Sequence, residues 1–203
     1  MKKLRPQQHF YPIIDLLVAE AVSEIESGKK RISCRAGCSH CCYLLVEISW
    51  AEAVELAHWV IEQEEPHRTQ LIARVKANAE EARTVFEKSK KDARYGAPVF
   101  DDEAELSQKS YDRYFFDQSR PCPFLENDRC TAYAVRPSAC RMHVVTSPPI
   151  LCSREVKDEK GYELPKRLEQ LREEVGPINS VINQGQAWGH LAVMVESALS
   201  HLT

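Results

Sequence analysis

Apolar residues return every three or four positions along most of this chain, and that rhythm stops where cysteines gather. Over residues 11–27, Ile13, Leu16, Leu17, Ala21 and Ile25 recur at helical spacing. Gly28 and the triplet Lys29-Lys30-Arg31 suit the end of such a helix, where cations meet the negative end of the dipole. Ser49-Trp50-Ala51-Glu52 matches a capping box, which predicts a helix from there to about Glu65. Pro66 is placed to start the next, which runs to about Asp92 with Leu71, Val75, Ala79, Ala82, Val85 and Phe86 as its buried stripe. The charged run from Glu80 to Arg94 then reads as its solvated face.

Gly96-Ala97-Pro98 breaks the pattern, and a further helix is expected from about Asp102 to Phe116. Two C-terminal helices, 163–175 and 178–201, are predicted on either side of Gly176-Pro177. Trp50, Trp59 and Trp188 are expected in the core or at helix interfaces.

Two stretches carry no period. Residues 33–42 hold Gly37 and four cysteines, and residues 119–153 hold five prolines and four cysteines. No strand–helix alternation and no internal repeat appears. The expected class is therefore mainly α, with helices flanking two cysteine-rich irregular segments. Residues 1–203 read as one domain, with the motifs in 34–152 and the last helices in 163–201.

Composition narrows the chemistry. A hydrophobic content of 43% excludes wholesale disorder, and a net charge of -3 from 27 basic and 30 acidic residues indicates neither nucleic acid nor membrane as partner. Asp15 and Glu20 interrupt the first apolar stretch and no small-residue cleavage site closes it, so the chain is expected to be cytoplasmic. In a reducing compartment, eight cysteines point to metal rather than to disulfides.

The first group is Cys34-x3-Cys38-x2-Cys41-Cys42, and the second is Cys122-x7-Cys130-x9-Cys140-x11-Cys152. Thiolates are soft donors that select zinc, cuprous copper or iron–sulfur clusters. Four plus four suits sites that want four sulfurs. Adjacent side chains on a helix diverge by about 100°. Cys41 and Cys42 therefore serve two different sites, or one of them is not a ligand. Structural zinc usually takes paired short knuckles, and only Cys38 to Cys41 has that spacing. The long, uneven intervals lean toward an iron–sulfur cluster, with zinc the alternative.

Cys34, Cys38 and Cys41 also copy the spacing of radical S-adenosylmethionine enzymes. Those look like βα barrels, for which this chain lacks the alternation. Arginines crowd the thiols: Arg35, Arg120, Arg129, Arg141 and Arg154 lie one or two positions from a cysteine. Four thiolates around one zinc leave a formal charge of -2, which guanidinium groups can offset. His40 and His143 are candidate ligands or sulfur hydrogen-bond donors, weighed against ordinary loop histidines. Tyr133 reads as a packing residue, and Arg136-Pro137 as a fixed turn. No phosphate loop, Ser-His-Asp set or His-Glu-x2-His helix is present.

Cys122-Pro-Phe-Leu, Cys130, and Tyr133-x2-Arg136-Pro137-x2-Cys140-Arg141 together resemble the YkgJ-like cysteine-cluster proteins, a zinc- or iron-chelating family with a CxxCxxCC-type signature. Cys41-Cys42 and the capped helix after them fit it too, and Ala132 departs from it where isoleucine is common. The resemblance covers about residues 34–152. It implies metal binding, with Cys34, Cys38, Cys41, Cys42, Cys122, Cys130, Cys140 and Cys152 as candidate ligands, and Arg136 and Arg141 are the candidates for a place beside them. A distant relative, the flagellin lysine N-methylase, makes an iron–sulfur-dependent methyltransferase-like or redox enzyme the alternative to a binding protein.

Overall fold

A computed structural model describes residues 5–35, 37–91, 121–153 and 161–202. The helix expected over 102–116, Arg120 and Arg154 lie outside them, as do the side chains of Val85 and Phe86.

The chain is mainly α, with short two-stranded ladders. Helix α1 spans Pro6–Ser27. It starts earlier than its apolar rhythm suggests, because Pro6 occupies a first-turn position that needs no N–H donor. Its buried face also differs from the predicted one. Phe10, Tyr11, Ile14 and Ala21 are buried, whereas Ile13 and Leu16 are 52% and 72% exposed. Shifting the stripe by one residue rotates the helix by about 100°, and it brings Tyr11 and Ile14 onto the core.

Strand β1 (Glu47–Ser49) runs directly into α2 (Trp50–Ile61). The capping box forms: Ser49 Oγ accepts from the Glu52 N–H at 3.3 Å, and Glu52 accepts from the Ser49 N–H at 3.0 Å. Helix α2 ends at Ile61, four residues before the predicted Glu65. Helix α3 (His67–Lys91) buries Leu71, Val75, Ala79 and Ala82 as the period demands.

Strands β2 (Leu125–Glu126) and β3 (Arg129–Cys130) form a hairpin through Asn127 and Asp128, both at positive φ. A single-turn helix, α4, covers Ser138–Arg141. Helix α5 runs unbroken over Lys166–Asn183, through the predicted break at Gly176-Pro177. Pro177 removes one intrahelical donor. Leu168, Leu171, Val175, Asn179 and Asn183 are buried at helical spacing on both sides of it and hold the helix to its neighbours. The Gln7 side chain donates to Asn179 at 3.1 Å, and the Ala51 N–H donates to Asn183 at 3.2 Å. The break falls instead at Gln184 and Gly185, both left-handed. Strand β4 (Trp188–His190) pairs antiparallel with β1, and α6 (Leu191–Leu202) follows.

Two apolar cores result. One joins α2, α3 and α6 and takes in Phe124 and Ala132; the other joins α1 and α5 and takes in Met142. The second cysteine segment thus anchors its first half in one core and its last half in the other. Trp50 and Trp59 pack against the first core, with Trp59 edge-on to Phe124, but Trp188 is 47% exposed on the short ladder, contrary to expectation.

His190, on the same ladder, is pushed down to about 4 by burial. Its neutral form is favoured in the fold, whereas an unfolded histidine titrates near pH 6.5. Its stabilising contribution is complete above that value and is lost as pH falls toward 4. Stability should drop by about 2 kcal/mol between pH 7 and pH 5 on this account. Urea midpoints over that range should fall less in His190→Leu than in the unaltered protein; equal slopes would refute the assignment.

Candidate metal centre

Backbone hydrogen bonds lay the two cysteine segments side by side. The Ser33 N–H donates to Val145 O at 2.9 Å, and the Val145 N–H donates to Cys34 Sγ at 3.3 Å. The Cys122 N–H donates to Cys42 O at 2.8 Å, and Ser39 Oγ donates to Asp128, in the hairpin turn, at 2.8 Å. Cys41 and Cys42 sit in a 3-10 turn, His40–Tyr43, which packs on a second such turn, Pro149–Cys152. The hairpin closes the seven-residue interval from Cys122 to Cys130, because Leu125 pairs with Cys130 and the Leu125 N–H bonds back to Cys122 O at 2.9 Å.

All eight cysteines are described, and all are free thiols. Burial pushes Cys122 and Cys152 up to about 12 and also raises Cys34, Cys130 and Cys140. Cys41 is drawn down to about 7 by the hydrogen bond from the Cys42 thiol, and the same bond raises Cys42. A buried thiolate without a cation is costly, so deprotonation of most of these sulfurs calls for a metal to take the charge.

Their mutual charges fall into two neighbourhoods. Cys34 and Cys152 feel Cys38 and Cys41, and Cys152 feels Cys34 as well. Cys42 and Cys140 feel Cys122 and Cys130, which lie at the two ends of the hairpin. Cys41 acts on both groups. Among the described residues, no three Cys, His, Asp or Glu side chains are gathered at the spacing of a single ion. The donor set is all sulfur, which fits zinc or iron and excludes magnesium and calcium.

The sequence model of the CxxCxxCC family, described as "Putative zinc- or iron-chelating domain", matches residues 33–166. The chain belongs to the CxxCxxCC family. No curated protein and no solved structure matches it. Metal binding through clustered cysteines is therefore its function at the level the family describes. No helix among the described residues is long and apolar enough to cross a membrane.

Around the CxxCxxCC sulfurs, the arginines divide the work. Arg136 stacks on the Tyr133 ring at 3.9 Å, and its charge lowers Cys41 and Cys130. Arg141 is 3% exposed and spends its donors on the loop itself: Ala134 O at 2.5 Å, Arg136 O at 2.8 Å and Asp15 at 2.5 Å. It also lies 4.2 Å above the Tyr11 ring, so it ties the loop between Cys130 and Cys140 to α1 while adding positive charge near Cys130.

His143 is held as a donor to sulfur. Arg172 Nη2 lies 3.3 Å from His143 Nδ1, and a guanidinium can only donate, so Nδ1 accepts. Burial and Arg172 drive His143 down to about 4, which keeps it neutral. Its proton is therefore on Nε2, 3.7 Å from Cys152 Sγ. His40 opens the 3-10 turn and makes no hydrogen bond to a sulfur among the described residues.

Glu52 does more than cap α2. Its second carboxylate oxygen accepts from the Ser138 N–H at 2.8 Å and from Ser138 Oγ at 2.7 Å. One buried carboxylate thus joins the helix after the first cysteine segment to the turn that carries Cys140. The pattern Ser-x2-Glu gives no sign of this second use, because the partner lies 86 positions away.

Proposed function

We propose that the eight thiols form two adjacent four-sulfur sites, Cys34, Cys38, Cys41 and Cys152 in one and Cys42, Cys122, Cys130 and Cys140 in the other, and that these sites hold iron–sulfur clusters. The observation that carries the reading is how the segments pair: the turn holding Cys41 and Cys42 packs on the turn that ends at Cys152, and the Cys122 N–H donates to Cys42 O, which puts Cys41 and Cys42 at the junction. Adjacent residues whose side chains diverge are suited to serve one site each. Backbone N–H groups reach Cys34, Cys122 and Cys130, and such donors tune a cluster's potential. Arg136 and Arg141 offset the negative charge.

Zinc is the second reading, and one feature favours it. The Phe124 and Ala132 N–H groups point at the sulfurs two residues before them, at both ends of a tight hairpin, an arrangement that would hold two thiolates on one ion. Anaerobic purification followed by iron, zinc and acid-labile sulfide analysis separates the two. The expected result is a coloured protein with iron and sulfide in equal amounts and a visible band that bleaches on reduction. A colourless protein with stoichiometric zinc and no sulfide would overturn the cluster reading and leave the two sulfur sites. A protein that takes up neither metal would overturn both.

A further inference from the structure

A cavity of about 470 Å³ lies against the cysteine segments, α4 and α5. Cys41 and Cys140 form part of its wall, yet most of its lining is not sulfur. Met142, Val175 and Trp188 supply an apolar surface, and Arg172 of α5 supplies a cation. We infer that this cavity binds a small organic monocarboxylate, its carboxylate on Arg172 and its apolar body against Met142, Val175 and Trp188.

The guanidinium is under-used where it stands. It has five N–H donors. Nη2 makes two long contacts, to His143 Nδ1 at 3.3 Å and Met142 O at 3.5 Å, and Nε is buried with no partner. Among the described residues no ion pair joins Arg172 to a carboxylate. A half-buried guanidinium whose Nε finds no acceptor is costly, and a bidentate carboxylate is the group its fork matches. The two acids that line the cavity do not fill this role. Glu52 is saturated by Ser49 and Ser138, and Arg172 stands in no ion pair with Glu47 among the described residues.

The charge of the occupant follows from the rest of the lining. The Ser138 N–H at the start of α4 is already given to Glu52. Glu47 and Glu52 also line the cavity, so its one guanidinium suits a monoanion with a hydrocarbon body and disfavours a phosphate dianion. Cys41 and Cys140 are also ligands in the proposed sulfur sites, so the inference concerns the part of the cavity walled by Arg172, Met142, Val175 and Trp188.

The purified full chain can be tested with 8-anilino-1-naphthalenesulfonate, a fluorescent monoanion, and with N-phenyl-1-naphthylamine, which has the same body and no charge. The anionic dye should bind at one site and be displaced at least about tenfold more readily by decanoate than by decanol. Arg172→Gln should weaken decanoate displacement at least about tenfold, the equivalent of one good charge-assisted contact, and leave the neutral dye's affinity within about twofold.

Gly176→Leu gives an independent readout. Gly176 lines the cavity, and a Cβ there meets nothing within 4 Å, so a side chain enters open space without displacing the helix. That variant should lose both dyes while its circular dichroism and metal content stay unchanged. Absence of dye binding to the unaltered protein would overturn the inference. So would a folded Gly176→Leu that binds both dyes normally, or full decanoate displacement in Arg172→Gln. Metal analysis of the same samples reports separately on the sulfur sites.

Discussion

Replacing Cys140 with serine is expected to remove about half of the bound metal and leave the rest, and Cys38→Ser is expected to remove the other half. Each substitution takes one thiolate from one of the two proposed sulfur sites. Cys140 is coupled to Cys122 and Cys130, whereas Cys38 acts on Cys34 and Cys152. The double variant should be metal-free. Stability should fall with the metal, by several kcal/mol per site, because ligand binding energy is folding energy when the unfolded chain has no preformed site. Metal content and thermal melting on the three variants decide it. Complete loss in either single variant would mean one shared site, and full retention in either would remove that cysteine from the ligand set.

Glu52→Ala should destabilise the protein by about 3 kcal/mol, most of it from two backbone N–H groups left without acceptors. Glu52 is 2% exposed and accepts four hydrogen bonds, two from Ser49 and two from Ser138. Removing a buried charge recovers some desolvation cost, which is why the expected loss is smaller than four charge-assisted bonds would suggest. The carboxylate holds the turn bearing Cys140 against the helix that follows Cys42. Metal affinity should therefore fall together with stability. Glu52→Gln can still accept at one end, so its cost should be about half as large. Urea titration of both variants provides the check, and an alanine variant within about 0.5 kcal/mol of the unaltered protein would show that the bridge holds nothing.

Local signals were legible where they depend on neighbours in sequence. The capping box at Ser49 and Glu52 and the stripe Leu71, Val75, Ala79 and Ala82 appear as their spacing implies. The face of α1 did not, because Ile13 and Leu16 are as apolar as Ile14 and only the partner helices decide which side is covered. Gly176-Pro177 reads as a stop by its own chemistry. The stop is overridden by buried residues on both sides, which tie α5 to Gln7 and Ala51.

The sequence by itself determined the helical class, the division of the cysteines into two runs of four, and membership of a zinc- or iron-chelating family, since periodicity, spacing and motif are properties of the chain as written. Tertiary structure decided which thiols are neighbours. Cys34 lies against Val145, Cys42 against Cys122, and the turn of Cys41 and Cys42 against the turn that ends at Cys152. It also decided that Glu52 meets Ser138, and that Arg172 lines a cavity with no carboxylate partner. Those contacts join residues far apart in the chain, and their energy appears only when burial brings the partners together and removes the water that would otherwise satisfy them.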